Sequence, residues 1–447
     1  MLKIILIFSM AWAVAKGNVS THNPFYCFAT DPIRPQNQMF ATKVAYEAVR
    51  GRGFINPAIS TCTPSKLFIY GRHGSRLPSS SDTLRMINIH ESLKARVIEN
   101  YEAGRTQLCQ QDMENIRNWT INPNITVGRN SELVETGWNE WRGIGQRFRD
   151  AFPTILSSPY NQSLFLFRAT DRQRTVASLQ GLADGVFGEW QNVQFEPIPD
   201  PDLLLRPNDD CPLYDAIRNN LIEMDAFETG PEYAEMLEQV NRKLGFFGAN
   251  QLSSRNVRTV WDFCKFEQGW DPVTPSPWCA AFSIANHAVM DYLEDLEYYY
   301  GMGYGGDVPL FANMNCHITQ EMLQFLQSSD PLDRVARFYN SHSRPLQLFL
   351  VTLGLFDGDS SLTRHNFAQQ TFRQWRSSYI APMASNLSIV RFDCENGDDD
   401  LLVLYNEKPL NIPGCGTNGL CKQSIFIDRY RRFLSANCSQ MFCSRDL

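Results

Sequence analysis

Twice along this chain a short apolar run with strand character meets an arginine and gives way at once to a helical rhythm. The first run is Lys66–Tyr70 (KLFIY). It is rich in β-branched and aromatic residues, ends in Gly71-Arg72-His73-Gly74, and precedes the 3.6-residue periodicity of residues 81–103. The second is SLFLFRATDRQRTVASLQGLADGVF, residues 163–187, in which an apolar strand ends at Arg168 and a helix follows. Between them, residues 132–156 read as another amphipathic helix that stops near Pro153. Repeated strand–helix units predict an α/β core. Such sheets bind ligands beyond the carboxyl ends of their strands, where Arg72, His73, Arg76 and Arg168 would lie. Gly71 and Gly74 read as positions where the backbone comes close to a ligand.

From about Cys211 the strand signals stop. We read residues 200–305 as a mainly helical cap inserted into a core made of 16–199 and 306–447. In the second core segment HSRPLQLFLVTLGLF is a core helix, LSIVRFDC and LLVLYNEKPL form a hairpin, and a tail with four cysteines is stapled down.

Residues 1–15 have an early lysine, an apolar run from Ile4 to Val14 and a small-x-small end, the pattern of a secretory signal peptide. Twelve cysteines in an exported chain favour disulfides, and with no CxxC pair they do not suggest a zinc site. Sequons at Asn118, Asn124, Asn161, Asn386 and Asn437, with Asn18 near the mature terminus, predict glycosylation. The expected location is extracellular, with the ER lumen as the alternative because the chain ends in SRDL. No later stretch is long and apolar enough for a membrane span. The net charge of −7 disfavours nucleic acid as a partner but leaves room for a small anion held by local arginines. The sequence shows no interface that would set an oligomeric state.

Arginine forks match phosphate oxygens, and cations around an imidazole keep it neutral and nucleophilic. Strand, Arg-His-Gly-x-Arg, helix is therefore a design for phosphoryl transfer through a phosphohistidine. A solvated histidine in a polar turn is the plain alternative. The longer strings FATKVAYE, FIYGRHGSRLPSS, LVETGWNEWRGIGQRF, FRATDRQRTVASLQGL, LQLFLVTLGLF and PMASNLSIVRFDCEN decide between them. Together, from about Phe40 to the C-terminus, they resemble the histidine acid phosphatase family, and within it the branch that acts on inositol polyphosphates such as inositol hexakisphosphate.

The resemblance implies a phosphoglycerate-mutase-like core with His73 as nucleophile. It implies Arg72, Arg76 and Arg168 as phosphate clamps and His342 as a second active-site histidine. Lys43, within FATKVAYE, joins Arg344 as a substrate-binding residue. No cofactor or metal is implied, the ligand being a phosphorylated small molecule. The resemblance also suggests the pairs Cys62–Cys394, Cys264–Cys279 and Cys415–Cys421, with Cys211 joined to Cys438 or Cys443. It leaves Cys27, Cys109 and Cys316 unplaced.

One position departs from the family. Its second histidine is followed by a general acid, in His-Asp or His-Ala-Glu, whereas this chain reads His342-Ser343-Arg344-Pro345. Arginine hardly yields its proton, and an alkoxide leaves poorly without one. Three readings are open: a phosphatase with a displaced acid, an impaired enzyme restricted to good leaving groups, or a pseudophosphatase that binds polyphosphates through an arginine-rich cleft. A phosphohistidine mutase is disfavoured by the leader.

Overall fold

The computed structural model describes residues 26–51, 55–156, 159–189, 192–358, 360–395 and 397–446. The leader, Asn18 and the C-terminal Leu447 lie outside them.

Among the described residues seven strands form one mixed sheet: β1 Thr63–Arg72, β2 Phe165–Ala169, β3 Ala336–Ser341, β4 Asn386–Asp393, β5 Asp400–Tyr405, β6 Lys408–Pro409 and β7 Leu420–Lys422. Their order is β2-β3-β1-β4-β5-β6, with β7 also on β5. β2, β3 and β1 run parallel, and β4 and β5 form the expected antiparallel hairpin. Register sets Arg72 opposite Ser341 and Ala169 opposite Asn340, so the carboxyl ends of the three parallel strands are level. The residues just past each of these ends therefore rise over one sheet edge.

The helices that build the core and the site are α1 Ser80–Glu102, α2 Gln110–Asn118, α3 Glu135–Ala151, α4 Gln173–Phe187, α5 Pro231–Leu244, α6 Ser254–Trp270, α7 Ile284–Met302, α8 Val308–Met314, α9 Cys316–Gln327 and α10 Ser343–Thr352. The two faces of β1 divide the core by the period-2 rule. Leu67 and Ile69 join the cluster containing Trp141, Ile144, Phe148, Leu179 and Leu182 of α3 and α4. Phe68 and Tyr70 join the larger cluster formed by the helical layer and α10. That layer includes α5, α6 and α7 from the 200–305 stretch, and α1, α2, α8 and α9 pack into the same cluster. The fold is thus mixed α/β with a large helical insertion.

Glycines in the first motif serve packing, not the ligand approach expected for them. A Cβ on Gly71 would stand 2.4 Å from the Trp141 ring. One on Gly74 would stand 2.3 Å from the Gly137 carbonyl. The close neighbours are protein, and Trp141 Nε1 donates to the Arg72 carbonyl at 3.1 Å across the space that Gly71 leaves.

Six disulfides close the structure: Cys27–Cys109, Cys62–Cys394, Cys211–Cys443, Cys264–Cys279, Cys316–Cys438 and Cys415–Cys421. The three suggested pairs are present, and Cys211 takes Cys443. Asn386 corrects the glycosylation reading. It is fully buried in β4, with its amide donating to the Tyr46 hydroxyl and the Ala384 carbonyl, so a glycan cannot reach it in the folded chain. Asn118, Asn124, Asn161 and Asn437 are exposed. No helix among the described residues is long and apolar enough to cross a membrane.

Candidate active site

Over the level strand ends lies a cleft of about 350 Å³. Arg72, His73 and Arg76 line it from the end of β1, and Arg174 lines it from the first turn of α4. His342, Ser343 and Arg344 enter from the start of α10. Thr42, Lys43, Tyr298 and Met302 complete the wall. Five lining side chains are arginine or lysine, and no carboxylate is among the described residues that line it.

His73 is 3 % exposed. Its amide donates to the Ser341 carbonyl at 3.0 Å, and the Ala384 amide donates to its carbonyl at 3.0 Å, fixing the backbone on both sides. Ring Nδ1 lies 2.9 Å from the Gly74 carbonyl, which can only accept. Nδ1 therefore carries the proton, and the lone pair is on Nε2. Burial first, then Arg72, Arg174, His342 and Arg76, hold the imidazole well below its ordinary pKa, so it is neutral.

His342 has the opposite tautomer. A guanidinium nitrogen of Arg174 donates to its Nδ1 at 3.2 Å, so Nε2 carries the hydrogen and donates to Thr170 Oγ1 at 3.1 Å. The chain continues through Thr175 Oγ1, 2.9 Å from Thr170 Oγ1, to the Arg172 carbonyl at 2.8 Å. Burial, Arg174 and Arg206 keep this ring neutral as well. The two imidazoles meet edge to face at 5.6 Å between centroids.

Arg72 is anchored from below. Its Nη1 donates to the carbonyls of Thr42 and Ala381, each at 2.6 Å, and its Nε is buried without a partner. Burial and neighbouring Arg76 lower it to about 9. Arg174 is lowered to about 10, first by burial and then by Arg76. Its Nε and that of Arg344 are likewise buried without a partner. Guanidinium groups left with unused donors around one cavity are the complement of an anion with several oxygens.

Arg168 does not line the cleft, contrary to the expectation for it. It lies one residue inside the end of β2, opposite Tyr339, and alternation turns it away from the α3–α4 face occupied by Phe165 and Phe167. There it pairs with buried Asp202 at 2.8 Å. Arg174, two residues after Arg172 in the same stretch, reaches the cleft instead, because it lies past the end of β2 whereas Arg168 lies inside the strand. Sequence reasoning missed this, although a start of α4 at Gln173 would have pointed to it. It also missed Tyr298, from α7, and Glu140, which is 3 % exposed. Glu140 accepts from the Ser75 amide at 2.7 Å, the Ser75 hydroxyl at 2.9 Å and the Tyr46 amide at 3.0 Å. It fixes the turn between His73 and Arg76.

The fold and cleft define a histidine phosphatase. The chain belongs to the histidine phosphatase superfamily (branch 2), whose description it matches over residues 69–406. It is 34 % identical over 428 residues to multiple inositol polyphosphate phosphatase 1 of Drosophila melanogaster, covering 94 % of this chain and 90 % of the other. Among solved structures, the phytase from D. castellii shares the fold with a TM-score of 0.67 at 16 % identity, over 91 % of this chain and 87 % of that one. The Bifidobacterium longum multiple inositol polyphosphate phosphatase, solved with inositol hexasulfate, has a TM-score of 0.60 at 14 % identity, over 87 % and 96 %. Membership places the chain with hydrolases of the histidine acid phosphatase type, phosphomonoesterases of phosphorylated small molecules.

Proposed function

We propose that this protein hydrolyses inositol polyphosphates, inositol hexakisphosphate among them, through a phosphohistidine on His73. The observation that carries the reading is the His73 tautomer. Nδ1–H is held by the Gly74 carbonyl, leaving the Nε2 lone pair in a cleft walled by Arg72, Arg76, Arg174, Arg344 and Lys43. Nε2 attacks phosphorus, the guanidinium groups neutralise the non-bridging oxygens, and the departing oxygen takes a proton. Water then cleaves the N–P bond. His342 supports the site by donating from Nε2 to Thr170 and by orienting Arg174. The names of its relatives and the number of cationic groups favour a substrate with several phosphates. Six disulfides support an oxidising, secretory location.

One observation favours a second reading. Arg344 lines the cleft where the family resemblance places a carboxylic acid, which suits a protein that binds polyphosphates without turning them over. The two readings separate in a parallel assay of phosphate release from inositol hexakisphosphate and p-nitrophenyl phosphate between pH 3 and pH 8. Turnover of both supports the enzyme. Tight binding of inositol hexakisphosphate with release from neither ester supports the binding protein.

A further inference from the structure

We propose that Lys43 is the general acid of this site, delivering a proton from Nζ to the departing ester oxygen. The inference rests on the phosphatase reading above and asks which group in the cleft can release a proton. Arginine guanidinium groups do not. The phenol of Tyr298 is pushed above its ordinary pKa by burial and by Glu294 and Glu297. The N–H of His342 is committed to Thr170, and its ring is already neutral. Thr42 and Ser343 offer only weakly acidic hydroxyls. Among the described lining residues this leaves the Lys43 ammonium.

Its placement suits the task. Nζ donates one hydrogen to Thr42 Oγ1 at 2.9 Å, which leaves two for other acceptors. Thr42 Oγ1 lies 3.2 Å from the Tyr298 hydroxyl, and the Thr42 carbonyl holds Arg72 Nη1 at 2.6 Å. Lys43 is therefore tied through one residue to the arginine that precedes His73. Burial, with Lys265, Arg76 and Arg72 facing it, lowers the ammonium to about 8, against the opposing pull of Glu294. Asp82 and Glu297 also face it: burial raises Glu297 above its ordinary value with Lys43 pulling the other way, and the Ser79 hydrogen bond and then Lys43 lower Asp82 against its burial. The group is thus protonated at neutral and acid pH, and readier to release its proton than an ordinary lysine.

The step balances without a co-reactant. His73 Nε2 forms the bond to phosphorus as the P–O ester bond breaks, and that electron pair takes a hydrogen from Lys43 Nζ, leaving an alcohol and a neutral amine. In the second half the amine accepts a proton from the water that attacks phosphorus. This releases phosphate and restores His73 and the ammonium.

The test compares wild type, Lys43→Arg, Lys43→Gln and Glu297→Gln on inositol hexakisphosphate and p-nitrophenyl phosphate. Arginine keeps the charge and holds its proton. With Lys43→Arg, kcat on inositol hexakisphosphate should fall about a hundredfold, within the range for lost general acid catalysis, while kcat on the aryl ester stays within about threefold. The fall in wild-type kcat above about pH 8 should disappear in that variant. Lys43→Gln, which keeps neither the charge nor the acid, should show the same selectivity if Lys43→Arg folds poorly. Equal loss on both esters would reduce Lys43 to a charge and overturn the proposal. A selective loss in Glu297→Gln instead would move the acid to α7 and also overturn it. Release from neither ester by wild type would refute the phosphatase reading itself, and this proposal with it.

Discussion

Asp291 should govern Arg72 from a distance. Buried in α7, it accepts from the Ala41 amide at 2.9 Å, from Arg373 at 3.0 Å and from Arg376 Nε at 3.0 Å. Ala41 sits in the left-handed region at φ 46°, a conformation disfavoured for a residue with a Cβ, and the next carbonyl, of Thr42, holds Arg72. Asp295, one turn along, accepts from the Ser377 amide at 2.7 Å and so holds the turn leading to Ala381, the second carbonyl on Arg72. In Asp291→Asn the side-chain oxygen can still serve Ala41, but the carboxylate facing two arginines is lost. Arg373 keeps Asp295, whereas Arg376 has no second carboxylate among the described residues, so the cost should lie near the low end for a broken buried pair, about 3 kcal/mol. With about 2.1 cal/mol/K of unfolding entropy per residue over 447 residues, that is a fall of about 3 °C in Tm. A displaced Arg72 should also lower kcat by about tenfold or more, with KM changing less. Thermal unfolding with the disulfides intact, alongside steady-state kinetics on p-nitrophenyl phosphate, measures both. An unchanged Tm would show that the network is idle, and a lower Tm with unchanged kcat would refute the link to Arg72.

Four other outcomes are expected. Arg174→Ala should lower kcat/KM by about a hundredfold, the scale of one lost transition-state donor; Arg168→Ala should instead leave Asp202 buried and unpaired and lower stability by about 3 kcal/mol, read from melting and kinetics on both variants. Burial raises Glu267 from 4.5 to about 7, so the folded state binds the extra proton and wild type loses stability as pH rises through that window. Glu267→Gln, whose amide can donate to a reoriented Ser276 hydroxyl, should therefore gain about 3 kcal/mol relative to wild type between pH 4.5 and pH 7, and a flat difference in urea titrations would contradict this. Peptide mapping of protein expressed through a secretory pathway should find glycans at some of Asn118, Asn124, Asn161 and Asn437 and none at Asn386.

Much of this architecture is legible in the sequence because period and punctuation carry it. The apolar run KLFIY, the helical stripe in residues 132–156 and the paired late strands all reappear, since each is set by local burial patterns. Less legible is anything that depends on where a chain end rises above a sheet. Arg168, directly after Phe167, and Arg174, after the polar residues 170–173, lie in one stretch, and the register of β2 on β3 decides which of them overhangs the edge. Gly71 shows the same limit: its sequence says that something comes close, and the structure shows the Trp141 ring. A sequon such as Asn386 is a local string, whereas its burial depends on segments far away in the chain: β1, on which it pairs with Gly71, and Tyr46, whose hydroxyl accepts from its amide. The partners of Cys27 and Cys316 likewise depended on how distant segments meet.

The central claim is that His73 Nε2 carries the phosphoryl group between substrate and water. Incubation with a labelled phosphomonoester, a quench that preserves the N–P bond, and peptide mapping test it directly. The account predicts label on His73 in wild type, with neither label nor turnover in His73→Ala; label on another residue, or undiminished turnover in that variant, would contradict it.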